Sequence, residues 1–65
     1  MKIEVNGEAR DVAGPTLVDA LAELGWGAAR VATALNGDFV PKAVRAGTTL
    51  KEGDRLEVLA PMQGG

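Results

Sequence analysis

The residues with the clearest chemical potential in this 65-residue chain are its last five, Pro61-Met62-Gln63-Gly64-Gly65. Pro61 has no N–H to continue a strand ladder, and paired glycines have the greatest backbone freedom, so the segment reads as a flexible C-terminal finger on a folded body. At about 3.4 Å per extended residue, five positions reach roughly 17 Å, enough to enter another protein's cleft while the body stays outside. Gly64 and Gly65 have no Cβ, so they can pass a constriction and lie close to a nucleotide. The distinctive reactive handle is the α-carboxylate of Gly65. A carboxylate resists nucleophiles until one oxygen becomes a good leaving group, and a mixed anhydride with AMP supplies that at the expense of ATP. The acyl-adenylate can then be attacked by a persulfide sulfur, giving a thiocarboxylate, or by an amine, giving an isopeptide bond. A terminal Gly-Gly on an arbitrary chain is simply a frayed end. Here the finger follows the last strand without a linker, and the interior offers no competing chemistry.

That interior is poor in reactive groups, because the chain contains no Cys, His, Ser or Tyr. The usual nucleophiles, the neutral-pH general base and the soft metal ligands are all missing, which argues against a self-contained active site and for a protein that enzymes act upon. No P-loop or metal-ligand spacing is visible, so no cofactor is expected on the chain itself, and a separate enzyme must do the activating. Nine acidic and seven basic residues leave a net charge of −2, which does not favour phosphate backbones or anionic lipid; neither nucleic acid nor a membrane is the expected partner. With no cysteine, signal peptide, transmembrane run or lipidation motif, the expected location is the cytoplasm.

A body must hold this finger, and 65 residues suffice for one small core. Hydrophobic residues make up 46% of the chain and charged residues 25%, a composition that folds rather than stays disordered. Lys2 to Asn6 alternates with Ile3 and Val5 on one face, a half-buried strand. Asn6-Gly7 predicts a two-residue hairpin turn into an edge strand over Glu8 to Val12. After Gly14-Pro15, Thr16 and Asp19 form a capping-box pair, and Leu17, Leu21 and Leu24, widened by Val18 and Ala20, predict a helix of about three turns that Gly25 ends. Trp26, in the connector Trp26-Gly27-Ala28-Ala29, reads as a core or edge-covering residue, with a partner anchor as the alternative. Arg30 to Leu35 has two nearly apolar faces and is expected inside the sheet, covered on both sides or packed under small side chains. A second Asn-Gly, at positions 36 and 37, turns into a short strand Asp38-Phe39-Val40 that Pro41 stops; both Asn-Gly pairs read mainly as turn chemistry. Lys42 to Thr49 reads as an irregular crossover with one short helical turn, Leu50 as a core plug, and Glu52-Gly53-Asp54 as a turn. Arg55 to Ala60 is the last strand, with Leu56 and Val58 inward. The order strand-strand-helix-strand-short strand-strand gives an α+β fold of the β-grasp type: a mixed four- to five-stranded sheet with one main helix on one face, residues 1–60 forming the domain and 61–65 the tail.

Leu59 shares the outward face with Arg55 and Glu57, so it is either covered by the tail or a docking contact. Partner contact is expected near Leu59 and Arg55, with Phe39 as a possible anchor, although Phe39 reads first as core.

Four blocks taken in order, Val5-Asn6-Gly7-Glu8, Leu35 through Lys42, Leu50 through Glu57 and the ending Met62-Gln63-Gly64-Gly65, resemble the ThiS family of sulfur carriers in bacterial thiamine thiazole biosynthesis. The resemblance runs nearly end to end and implies a ubiquitin-like β-grasp fold. It also implies a cycle in which an E1-like adenylating enzyme of the ThiF type uses ATP and magnesium to adenylate Gly65. Sulfur from cysteine, delivered through a cysteine desulfurase persulfide, replaces the adenylate, and a thiazole synthase of the ThiG type takes it from the thiocarboxylate. Gly64 and Gly65 match the family ending residue for residue. Lys42-Ala43-Val44-Arg45 lacks an aromatic that many relatives place there, and Trp26 has no matching position. Other readings of the same fold are a carrier for molybdopterin synthesis or tRNA thiolation, a ubiquitin-like modifier joined to lysines, and a noncovalent binding module.

Overall fold

A computed structural model describes residues 1–27 and 29–60 of the chain. The tail, with Met62, Gln63, Gly64 and Gly65, lies outside the described residues, as does Ala28 of the connector. The chain forms strands β1 (Lys2–Val5) and β2 (Glu8–Asp11), helix α1 (Leu17–Glu23), strands β3 (Ala32–Leu35) and β4 (Asp38–Val40), a 3₁₀ helix (Lys42–Gly47) and strand β5 (Arg55–Leu59). The five strands make one sheet in the order β2-β1-β5-β3-β4. The central pair β1 and β5 is parallel, and each carries an antiparallel hairpin partner or neighbour outward from it. This is the β-grasp arrangement, and it places the last strand in the middle of the sheet.

Both hairpins turn where the sequence predicts. Asn6 and Asn36 have φ of 50 and 51°, followed by Gly7 at 86° and Gly37 at 88°, the paired positive dihedrals that match a tight turn to the twist of its strands. The capping box at α1 is also formed: the Asp19 amide donates to the Thr16 hydroxyl oxygen at 3.2 Å, and the Thr16 amide donates to the Asp19 carboxylate at 3.2 Å. The helix is shorter than its apolar spacing implies, seven residues and so about two turns. Leu24 is its C-cap, and Gly25 takes a φ of 96°, where the chain leaves the helical path. Leu17, Ala20 and Leu21 are buried, whereas Val18, one residue or about 100° round from Leu17, is exposed rather than part of the stripe.

The core lies between α1 and one face of the sheet. Ile3 and Val5 from β1, Leu56 and Val58 from β5, and Val40 from β4 meet Leu17, Ala20 and Leu21, with Val12 and Leu50 closing the ends. Trp26 is half-buried against this cluster, as an edge-covering residue. The crossover is tied to the helix start by two backbone bonds, Leu17 donating to Thr48 and Leu50 to Pro15, both at 2.8 Å. Lys42 to Gly47 is helical over a longer stretch than a single turn, in the 3₁₀ form.

The opposite sheet face has no layer over it among the described residues, which corrects two expectations. Strand β3 is interior to the sheet but not covered on both faces, since Thr33 is buried while Ala32 is exposed. Phe39 is not core: it is 68% exposed. In a three-residue strand only alternate positions can face inward, and Val40 takes that place opposite Thr33, sending Phe39 to the open face opposite Ala34.

Candidate functional site

Strand β5 ends one residue before Ala60, the last described residue, so the groups that hold β5 fix where the chain leaves the sheet. Its partner β1 pairs with it only at Glu4 with Arg55 and Val5 with Leu56 before turning away. The Asn6 side chain continues that ladder. Its Oδ1 accepts from the Val58 amide at 2.9 Å, and its Nδ2 donates to the Val58 carbonyl at 3.1 Å, the pair of bonds a backbone peptide would have made. At the other end of β5, Asn36 Oδ1 accepts from the Arg55 amide at 2.9 Å, and Asn36 Nδ2 donates to the Asp54 carboxylate at 3.0 Å. Buried Asp54 in turn accepts from the Lys51 amide at 2.8 Å, closing the turn before the strand. Each Asn-Gly pair therefore does more than turn a hairpin, contrary to the sequence-based expectation. Their side chains clamp the strand that carries the tail at both its ends.

The open face of β3, β4 and β5 carries an exposed apolar trough close to Ala60. Register puts Phe39 opposite Ala34, Ala34 opposite Glu57, and Ala32 opposite Leu59. The two alanines leave a shallow trough of about 340 Å³ between Phe39 and Leu59, the latter 74% exposed. Two large apolar side chains flanking small ones on one exposed face form a contiguous apolar patch of the kind that marks interfaces. The structure thus brings Leu59 and Phe39 together. Arg55 shares the face but stands four residues back along β5, about 13 Å from Leu59, in a separate polar depression with Glu4 and Glu57. The Ala32-Ala34 trough was visible in the sequence as an alternation, but its openness was not.

Arg45 is a further residue that sequence reasoning passed over. It lies in the 3₁₀ helix and is only 7% exposed. Its Nε donates to the Thr33 hydroxyl at 3.1 Å and a terminal nitrogen donates to the Val31 carbonyl at 2.6 Å, while the Thr33 hydroxyl donates to Val40 at 2.9 Å. The 3₁₀ helix is thereby bonded to β3 at the residue preceding Ala32, the register partner of Leu59. Among the described residues, no group of three or more acidic side chains is placed to hold a metal ion, and no helix is long and apolar enough to cross a membrane.

Comparison with known proteins adds the following. The model of the ThiS family matches residues 3–65. The chain is 39% identical over 66 residues to a thiazole synthase of Paramagnetospirillum magneticum, covering all of this chain and 20% of that protein, so it spans about a fifth of that relative's length. It is also 39% identical over 61 residues to the sulfur carrier protein ThiS of Thermus thermophilus, covering 94% of this chain and 95% of that one. A crystal structure of the thiamine biosynthesis protein ThiS from Geobacter metallireducens superposes with a TM-score of 0.83 at 33% identity, covering all of both chains. A solution structure of a thiamine biosynthesis protein from the same organism gives 0.79 at 32% identity, covering this whole chain and 88% of that one.

Proposed function

The chain belongs to the ThiS family, and on that premise we propose that it is a sulfur carrier of thiamine biosynthesis, a cosubstrate rather than an enzyme, whose cargo is held on the terminal carboxyl of Gly65. The observation that carries this reading is that the family match runs through residue 65, so that the Gly64-Gly65 ending falls within it. Residues 1–60 serve as the handle and residues 61–65 as the arm that enters a partner's cleft. A ThiF-type adenylating enzyme, using ATP and magnesium, joins the Gly65 carboxylate to AMP and releases pyrophosphate. A desulfurase-borne persulfide then displaces AMP, and cleavage of the sulfur–sulfur bond by a thiol leaves the thiocarboxylate. A ThiG-type thiazole synthase accepts the sulfur; the stretch of similarity within a protein named thiazole synthase supports that partner. The open face around Phe39 and Leu59, with Arg55 at its far end, is the surface on which these enzymes grip the body while they work on the tail.

The test is intact-mass analysis after incubation with ATP, magnesium, cysteine, the adenylating enzyme and the desulfurase. Replacement of one oxygen by sulfur at Gly65 is expected. Failure to exchange, with the same enzymes active on another carrier, refutes the reading, and conjugates to lysines would favour a modifier instead. Adding one residue after Gly65 is expected to abolish the exchange and leave the melting temperature unchanged.

A further inference from the structure

A further cavity lies on the helix side of the sheet, between α1, the connector that follows it and the 3₁₀ helix. Its volume of about 420 Å³ falls in the range of small-molecule sites, roughly 300–1,000 Å³. Trp26, Arg30, Lys42 and Arg45 line it together with Val18 and Leu21, and no Asp or Glu is among its described lining residues. Three of the chain's seven cationic side chains thus surround one cavity in a protein of net charge −2.

Arg45 makes this more than a cluster of surface charges. The residue is largely buried, and its two bonded acceptors among the described residues, the Val31 carbonyl and the Thr33 hydroxyl, are both neutral, while no polar side-chain atom there is left both buried and unpartnered, so the remaining terminal nitrogen reaches the surface. A guanidinium has five N–H donors, of which these bonds use two. Among the described residues no acidic side chain lines the cavity to offset this charge, and Arg30 and Lys42 on its exposed rim add to it. The two fixed bonds also hold the planar fork in one orientation, the geometry that favours phosphate oxygens. Half-buried Trp26 adds a flat indole, with Val18 and Leu21 as further apolar wall.

We propose that this cavity binds a small phosphate ester with a planar apolar body, the phosphate meeting Arg45, Arg30 and Lys42 and the ring lying against Trp26. Three cations suit a dianion better than a monocarboxylate, and the apolar wall would be wasted on a bare ion. The site is independent of the sulfur-carrier reading and lies away from the open sheet face, so both can be occupied together.

Trp26 is the only tryptophan, so its emission and indole N–H resonance report on the cavity directly. Phenyl phosphate titrated into the full chain at constant ionic strength is expected to shift the Trp26 signals saturably. Inorganic phosphate and benzoate, each carrying half of the ligand's chemistry, are expected to bind at least about tenfold more weakly. The double variant Arg30→Gln/Lys42→Gln, altered only at exposed positions, should lose at least about tenfold in affinity at an unchanged melting temperature. The proposal is overturned by no saturation up to about 10 mM, by equal affinity for the three anions, or by undiminished affinity in the double variant. No partner enzyme enters the measurement, so its failure would leave the Gly65 chemistry unaffected.

Discussion

Replacing Asn6 with glycine separates the turn from the clamp, because glycine accepts the φ of 50° at that position but has no side chain to reach Val58. Two side chain to backbone bonds, 2.9 and 3.1 Å long, are lost. A hydrogen bond contributes about 0.5–1.5 kcal/mol net, and this pair is only partly buried, which places the loss near 1–2 kcal/mol. The glycine also loosens the unfolded chain, an effect of about 0.5–1 kcal/mol that relief of the positive φ roughly offsets. In a domain of this size the melting temperature should fall by about 7–15 °C. The local signature is more specific. The Val58 amide donates to Asn6 Oδ1, so its hydrogen exchange should accelerate by about tenfold or more relative to amides in β2. On the proposed function, adenylation of Gly65 should slow as well, because the end of β5 that leads into the tail would be held less firmly. Thermal melts by circular dichroism and residue-resolved exchange by NMR provide the readings. A variant that melts within a degree or so of the parent, with Val58 exchange unchanged, would refute the clamp.

Three other outcomes are expected. Phe39→Ala and Leu59→Ser remove exposed side chains, so each should shift stability by no more than about 0.5 kcal/mol while raising the KM for the carrier in adenylation by about tenfold or more, as loss of an interface anchor does; unchanged KM in both would move the docking surface elsewhere. Thr33→Val leaves buried Arg45 Nε without its acceptor, at a cost of about 1–3 kcal/mol, whereas Thr33→Ser keeps the hydroxyl; equal melting of the two would show that the bond contributes nothing. Leu17→Ala, at a fully buried core position, should cost about 2–5 kcal/mol, a large part of the roughly 3–10 kcal/mol available to so short a chain, and should leave much of the protein unfolded at 37 °C by calorimetry.

What the sequence made legible was whatever depends on near neighbours. The alternation around Ile3 and Val5, the two Asn-Gly turns and the Thr16–Asp19 box each involve residues at most four apart, and each is formed as predicted. Phe39 escaped because a strand of three residues, two of them apolar, contains too little period to say which faces inward. The clamps escaped for another reason: Asn6 lies 52 residues from Val58, and Asn36 lies 18 from Asp54, so both bonds exist only after the sheet has assembled. Arg45 sits in a stretch without periodicity, and only the fold shows that Thr33 and Val31 are its acceptors.

The same separation governs how function can coexist with so small a core. A carrier must present one end to successive enzymes without spending its narrow stability on each encounter. Here the apolar residues that hold the body together face α1, whereas Phe39, Ala34, Ala32 and Leu59 face outward from the same strands. Strand alternation thus lets one segment, β5, serve both purposes: Leu56 and Val58 anchor it in the core, and Leu59 faces outward, on the surface proposed for docking. A one-residue slip of β5 against β1 would exchange the two faces and destroy both. Asn6 bonds to both backbone groups of Val58, and Asn36 bonds to the amide of Arg55, so the two clamps also act as register pins. On this view the Asn-Gly pairs matter less for turning the chain than for fixing which face of its last strand points outward.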